Sequence, residues 1–300
     1  MVRLWESRFS ISNCYYSGVP LPRSVEINPT VRILRTDNQG NGKVVIALWS
    51  EEPILFEKSE KTVRNIAELY SLITGFSFRY RSAGATGINS LDDLGKPHPT
   101  VSIRGVQTTY TKMQLRKHSA ALAKRWKRTC DIWDKLHENL ETSKRQYLRV
   151  ALFSHYQSGL SPPMPLEDAY VNATIGLEAL YNENPQDISY KLAIRGALIL
   201  TASTKSTSRE ESHFRALKRL YNKRNAIVHG KGAKVAYGEL LLVRSYLRES
   251  LRSSLALNLD KEDLISTIDD AITDQEAKRA FAQNLHLRRK ALGFKPLAIL

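Results

Sequence analysis

The stretch YNKRNAIVHG, residues 221–230, reads as the closing turns of a helix followed by its stop. Phe214, Leu217, Leu220, Tyr221, Ile227 and Val228 recur at helical spacing, and Gly230 suits the left-handed position beyond a helix end. Upstream, Ser208 and Glu211 have the Ser-x-x-Glu spacing of a capping box, which sets the start of this helix near residue 209. The segments on either side have the same texture. KRQYLRVALFSHYQ (144–157) is a helix with Tyr147, Val150, Leu152 and Phe153 gathered on one side, and LSPPMP (160–165) stops it because proline lacks an amide hydrogen. LEDAYVNATIGLEALY (166–181) turns Ala169, Ala173, Leu177 and Leu180 inward, and ISYKLAIRGALIL (188–200) follows it. The polar connector TASTKSTSREES (201–212) then leads to the 221–230 helix. YGELLLVRSYLRESLRSSLAL (237–257) repeats Leu240, Leu247, Leu251 and Leu255. Four helices with short connections make a bundle. A further helical segment covers 261–285, and the tail HLRRKALGFKPLAIL (286–300) is basic, then apolar, and either docks or frays.

The first third of the chain has a different pattern. VRILRT (31–36) and KVVIALWS (43–50) are strand-like, and DNQGNG (37–42) supplies the Asn and Gly of a hairpin reversal. TVRNIAELYSLITG (62–75) places Val63, Ile66, Leu69, Tyr70 and Ile73 at helical spacing, TVSIRG (100–105) is one more strand, and SAGATGINSLDDLGKPHP (82–99) is loop by composition. The expected fold class is therefore an α+β N-terminal domain followed by an all-α helical bundle. The expected boundaries are 1–108 for the α+β domain, a sensor or substrate selector, and 109–146 for a basic connecting helix. The bundle takes 147–258, and a C-terminal helical extension and tail take 259–300.

The chain has 300 residues, 45 Lys and Arg against 30 Asp and Glu, and a formal charge of +15, a balance that favours a polyanionic partner such as RNA. About half of that surplus lies between Lys112 and Arg149, where eleven basic residues face only Asp131, Asp134, Glu138 and Glu141. Trp126 and Trp133 sit seven residues apart on one helical face of that run, so that they pack inward while Lys124, Arg125, Lys127 and Arg128 face solvent as candidate RNA contacts. A plain solvated helix face has the same composition. Two cysteines, Cys14 and Cys130, give neither a disulfide framework nor a zinc site of the CxxC type, and no glycine-rich phosphate loop or internal repeat is present. The N-terminus lacks the apolar core of a signal peptide, and no run approaches the roughly 18 apolar residues of a membrane span. The expectation is a cytoplasmic protein with no membrane partner and no metal or other cofactor.

Arg224, Asn225 and His229 are the candidates for chemistry. Arg224 and His229 are five positions apart, so on an ideal helix they differ by about 140° in azimuth and about 7.5 Å in height. They cannot clasp one atom as neighbours, whereas Asn225 and His229, at i and i+4, share a face. A site needing both Arg and His is completed most simply by a second copy across a two-fold axis, which predicts a homodimer. The plainer reading is a helix terminus whose basic residues meet the dipole and whose Asn and Gly terminate it.

ATIGLEALY (173–181), ISYKLAIRGALIL (188–200) and LKRLYNKRNAIVHG (217–230), in that order, resemble the ApeA-like branch of the HEPN superfamily over residues 147–257. The resemblance implies a dimerising bundle of four or five helices whose active members are metal-independent ribonucleases. Their signature is Arg, a polar residue, three or so others, then His, which falls here on Arg224, Asn225 and His229. Some HEPN toxins carry a Tyr two residues after the His, where this chain has Lys231. The family's habit implies antiviral defence or a toxin-like growth arrest.

The chemistry suits those residues. A His can take the 2'-hydroxyl proton as that oxygen attacks phosphorus, and a forked guanidinium matches the charge building on the phosphoryl oxygens. His229 is then the acid or base, Arg224 the charge stabiliser, and Asn225 the group that orients the His or a phosphate oxygen. The product is a 2',3'-cyclic phosphate, and DNA is not cut. Lys223 and Lys231 flank the signature as candidate phosphate contacts, and Tyr221 belongs to the core. Glu178 and Arg195 read as a structural ion pair within the bundle, with a lining role near the site as the alternative. His98, His118, His137 and His213 show no ligand spacing. The rival functional readings are a non-catalytic HEPN module that binds RNA or a partner protein, and a purely structural dimerisation unit.

Overall fold

The computed structural model describes the backbone of residues 4–12, 24–28, 31–35, 44–50, 56–74 and 79–88; backbone and side chains together are described for 61–73, 128–129, 131–132, 140, 142–160, 164–203 and 209–294. The chain divides into two compact units, Met1–Asp134 and Lys135–Leu300.

In the first unit the backbone follows β1 (Leu4–Ser12), β2 (Ser24–Asn28), β3 (Val31–Arg35), β4 (Val44–Ser50), helix α1 (Phe56–Thr74) and β5 (Arg79–Ile88). The strands pair in the order β2-β3-β4-β1-β5. β3 and β4 are antiparallel from Val31↔Leu48 to Arg35↔Val44, the register expected of a hairpin reversing over 36–43. β5 occupies the first part of the segment read as a loop, 82–88, where Ser, Ala and Gly mask the strand signal. α1 begins six residues earlier than its apolar pattern, and its Val63, Ile66, Leu69, Tyr70 and Ile73 are all buried.

The expected α+β N-terminal domain is corrected. Among the residues described with their side chains 84% are helical and none lies in a strand, so the fold class they establish is a helical bundle. The strand at 100–105, Trp126, Trp133, Lys124, Arg125, Lys127, His98, His118, His137, Ser208 and both cysteines lie outside the described residues.

The second unit comprises α2 (Gln146–Ser158), α3 (Leu166–Tyr181), α4 (Ile188–Thr204), α5 (Glu210–Val228), α6 (Tyr237–Leu257), α7 (Lys261–Thr273) and α8 (Gln275–Ala291). α3 and α6 are central: α2 packs on both, α4 and α5 pack on each other and on α3, and α7 and α8 close over α4. The inward residues foreseen on α3 and α6 are all at most 1% exposed. On α2 the inward face is Leu148, Ala151, Leu152 and His155, and Val150 and Phe153, expected inside, are 36% and 45% exposed. A stripe at i, i+3, i+4 and i+7 excludes both positions. Because α7 and α8 pack on α4, and α8 on α6 as well, residues 261–291 belong to the body of the bundle. Lys261, at the start of α7, caps the end of α3 by donating to the carbonyls of Ala179 and Leu180, both at 2.6 Å. Among the described residues no helix is long and apolar enough to cross a membrane.

Gly196 sets how closely α4 approaches α5. A Cβ there would lie 2.7 Å from Leu217 Cδ1 and 3.3 Å from Tyr181 Cε2, both on fully buried side chains. Gly196→Ala should destabilise the bundle by about 1–3 kcal/mol, an overpacking loss that outweighs alanine's better helix propensity. Gly238→Ala, in the first turn of α6 with nothing within 4 Å of its Cβ, should be neutral or stabilising by up to about 1 kcal/mol. Urea denaturation of the two variants beside the wild type measures the contrast.

Candidate functional site

The end of α5 is a Schellman closure. Gly230 sits at φ 68°, its N–H donates to Ile227 O at 3.0 Å, and the Lys231 N–H donates to Ala226 O at 2.9 Å. His229 occupies the C-cap, where its backbone N–H donates to Asn225 O at 3.0 Å and its side chain is exposed. The helix-stop reading of His229 and Gly230 is therefore correct as local structure. It leaves the imidazole on the surface at the end of a helix.

Arg224 does not behave as a surface cation. Its Nε lies 3.1 Å from Glu178 Oε1 on α3, with both side chains only about one-fifth exposed, at 21% and 22%. The N–H is not aligned on that oxygen, so the contact is an ion pair rather than a hydrogen bond. Nη1 donates to Asn225 Oδ1 at 3.1 Å, and the guanidinium carbon lies 5.7 Å from the centre of the Tyr221 ring. Nη2 has no partner among the described residues. Burial pushes the Glu178 carboxyl above its usual range, while the charge of Arg224 pulls the other way. Burial likewise raises the Tyr221 hydroxyl, helped by Glu178 and opposed by Arg224 and a hydrogen bond with Asn225. Tyr221, Arg224 and Asn225 on the last turns of α5 and Glu178 on α3 thus form one connected group.

The expected Glu178–Arg195 ion pair is corrected. Arg195 is held in bidentate fashion by Asp269 of α7, Nε to Oδ1 at 2.8 Å and Nη2 to Oδ2 at 2.6 Å, and Nη1 meets Glu183 at 3.0 Å and the Tyr181 carbonyl at 2.7 Å. Glu178 instead faces Arg224, nearer to the alternative of a lining role. Asp269 stands 74 residues beyond Arg195 in the chain, and no local spacing signals that pairing.

Lys223 pairs with Glu239 at the start of α6. The same Glu239 accepts the Ala236 backbone N–H at 2.9 Å, and these contacts, Lys223 first, hold its carboxyl below the usual range. Sequence reasoning did not single out Glu239, although its place three residues after the helix cap is the position from which an acidic side chain reaches back. Lys231 is exposed, and Arg128 is half-buried. Buried His213 stands with Nδ1 3.3 Å from Tyr246 Oη, a contact within the bundle.

The arrangement brings Arg224, Asn225 and Glu178 together and leaves His229 apart; among the described residues no contact joins Arg224 to His229. Val228, next to His229 in the chain, is an exposed apolar side chain at 51%, as are Tyr237 and Leu241 on the first turns of α6 at 62% and 38%. Chemically, the site offers a fixed guanidinium with an unoccupied edge and, on a different azimuth, an accessible imidazole. No family model, curated protein or solved structure matches the chain.

Proposed function

We propose that this protein is a metal-independent RNA endonuclease of the HEPN type, acting as a homodimer whose two α5 ends supply Arg224 and His229 to a common cleft. The observation that carries the reading is the state of Arg224. It is drawn in against Glu178 and Asn225 with one edge unspent, five residues before an exposed His229, where a mere helix terminus would leave a solvated cation. The uncovered Val228, Tyr237 and Leu241 supply the apolar contact that two copies need at that end. In this reading the 2'-oxygen attacks the adjacent phosphorus as it loses its proton to a histidine, the bond to the 5'-oxygen breaks, and a 2',3'-cyclic phosphate remains. Antiviral defence or growth arrest is the biological use that the resemblance implies.

The test is a digest of mixed cellular RNA in EDTA with wild type and His229→Ala in parallel, with the new ends mapped. Cleavage by the wild type alone, with cyclic phosphate termini, is the expected result. An intact wild-type dimer that cuts no RNA overturns the nuclease assignment in favour of a binding module. Equal cutting by both proteins removes His229 from the chemistry.

A further inference from the structure

The solvent side of α5 carries a stripe that ends in the candidate site. Phe214, Lys218, Asn222, Asn225 and His229 stand at i, i+4, i+8, i+11 and i+15, within about 80° of azimuth on an ideal helix, and span about 22 Å. At the far end of this stripe lies an aromatic pair. Tyr190, on the first turn of α4, meets Phe214 edge-on with ring centres 5.8 Å apart and planes at 75°, yet is 53% exposed. The contact holds the Tyr190 ring in place and leaves most of it open to solvent. Lys218 Nζ lies 5.9 Å from the Phe214 ring centre and has no carboxylate partner among the described residues. Ser189 Oγ reaches Asn222 Oδ1 at 3.5 Å, tying the same turn of α4 to the middle of the stripe.

A half-open aromatic ring packed edge-on against a second ring that carries an ammonium matches an unpaired base with its phosphate: the open ring stacks on the base and the cation meets the backbone. We propose that Tyr190, supported by Phe214, on whose ring Lys218 rests, is a stacking subsite for a base of single-stranded RNA. The stripe through Asn222 would lead the strand from there toward Asn225 and His229. Phe214 and Asn225 are about 16 Å apart along the axis, so the stacked base belongs to a nucleotide distant from the cut. The subsite rests on the RNA reading above but not on cleavage. It selects unpaired RNA, because the bases of a duplex are already stacked.

The experiment is fluorescence anisotropy of a short single-stranded RNA with the full chain carrying His229→Ala, which keeps the probe intact, alone and combined with Tyr190→Ala or Tyr190→Phe. Tyr190→Ala should weaken single-strand binding roughly 5- to 150-fold, the range for loss of one stacked base, whereas Tyr190→Phe retains the affinity. Binding of a blunt duplex should not change with either. Unchanged single-strand affinity in Tyr190→Ala overturns the subsite, as does loss of a protein association with RNA affinity intact. Absence of RNA binding at low salt overturns both the subsite and the RNA reading. RNA binding that depends on Tyr190, in a wild-type protein that never cuts, sustains the subsite while the nuclease assignment falls.

Discussion

Arg224→Lys should lower RNA cleavage about 100- to 1,000-fold under single-turnover conditions although the charge is preserved, the size of effect seen when one preorganised transition-state donor is removed. The reason is geometric. The guanidinium faces Glu178 through Nε and Asn225 through Nη1, and a third direction, through Nη2, remains for a phosphoryl oxygen. A lysine is a point charge on a flexible stem and cannot hold three directions in one plane. It would settle against the Glu178 carboxylate and withdraw from the substrate. Substrate affinity should fall less than the rate, because exposed cations elsewhere on α5, Lys218 and Arg219 among them, still meet the RNA backbone. Single-turnover cleavage and anisotropy on the same RNA separate the two effects. An Arg224→Lys protein that cuts like the wild type would remove the fork from the mechanism and leave only its charge.

How much of this site the sequence reveals depends on the range of each interaction. The helix end is fully local: a glycine after a periodic apolar run predicts a left-handed residue, and Gly230 adopts it. α5 starts at Glu210, next to the expected 209, although its N-cap is Arg209 and makes no side-chain cap hydrogen bond; the whole of α6 follows from its short-range apolar pattern. The partners of the charged residues are not local. Glu178 and Arg195 each point to an opposite charge in the bundle, but which charge depends on the rotation of α3, α4 and α5 about their axes, and that is set by core side chains such as Leu177, Leu180 and Leu217. A rotation of one residue, about 100°, exchanges partners completely. Val150 and Phe153 fail for a related reason: apolar residues are free to lie on the surface, and hydrophobicity alone does not assign them inward. The N-terminal expectation fails at a different level. Runs rich in Val, Ile and Leu identify extended segments, as β3 and β4 show, but a domain class also requires knowing what covers the sheet.

Arg289→Ala should cost about 3–5 kcal/mol of stability, the largest loss expected of a single substitution away from the site. Arg289 on α8 is 3% exposed, and its Nη2 meets a Glu249 carboxylate on α6 that is fully buried, while Nη1 donates to Ser253 Oγ at 2.7 Å. A second cation, Arg252, stands 4.0 Å from that carboxylate and lies over the Phe294 ring at 5.7 Å. Removal of Arg289 takes its close partner from a desolvated negative charge, and α8 loses its ion pair to α6. The effect reaches past the helix, since the Phe294 N–H donates to the Arg289 carbonyl at 2.8 Å and Phe294 is itself buried. If the loss arises from stranding a charge rather than from the intrinsic strength of the pair, Glu249→Leu combined with Arg289→Leu should be more stable than either single alanine variant, because apolar side chains of similar volume need no partner. Urea denaturation of the four proteins at one pH decides the point. A double variant as unstable as Arg289→Ala would mean that the pair itself orients α8, and that its burial serves specificity more than it burdens stability.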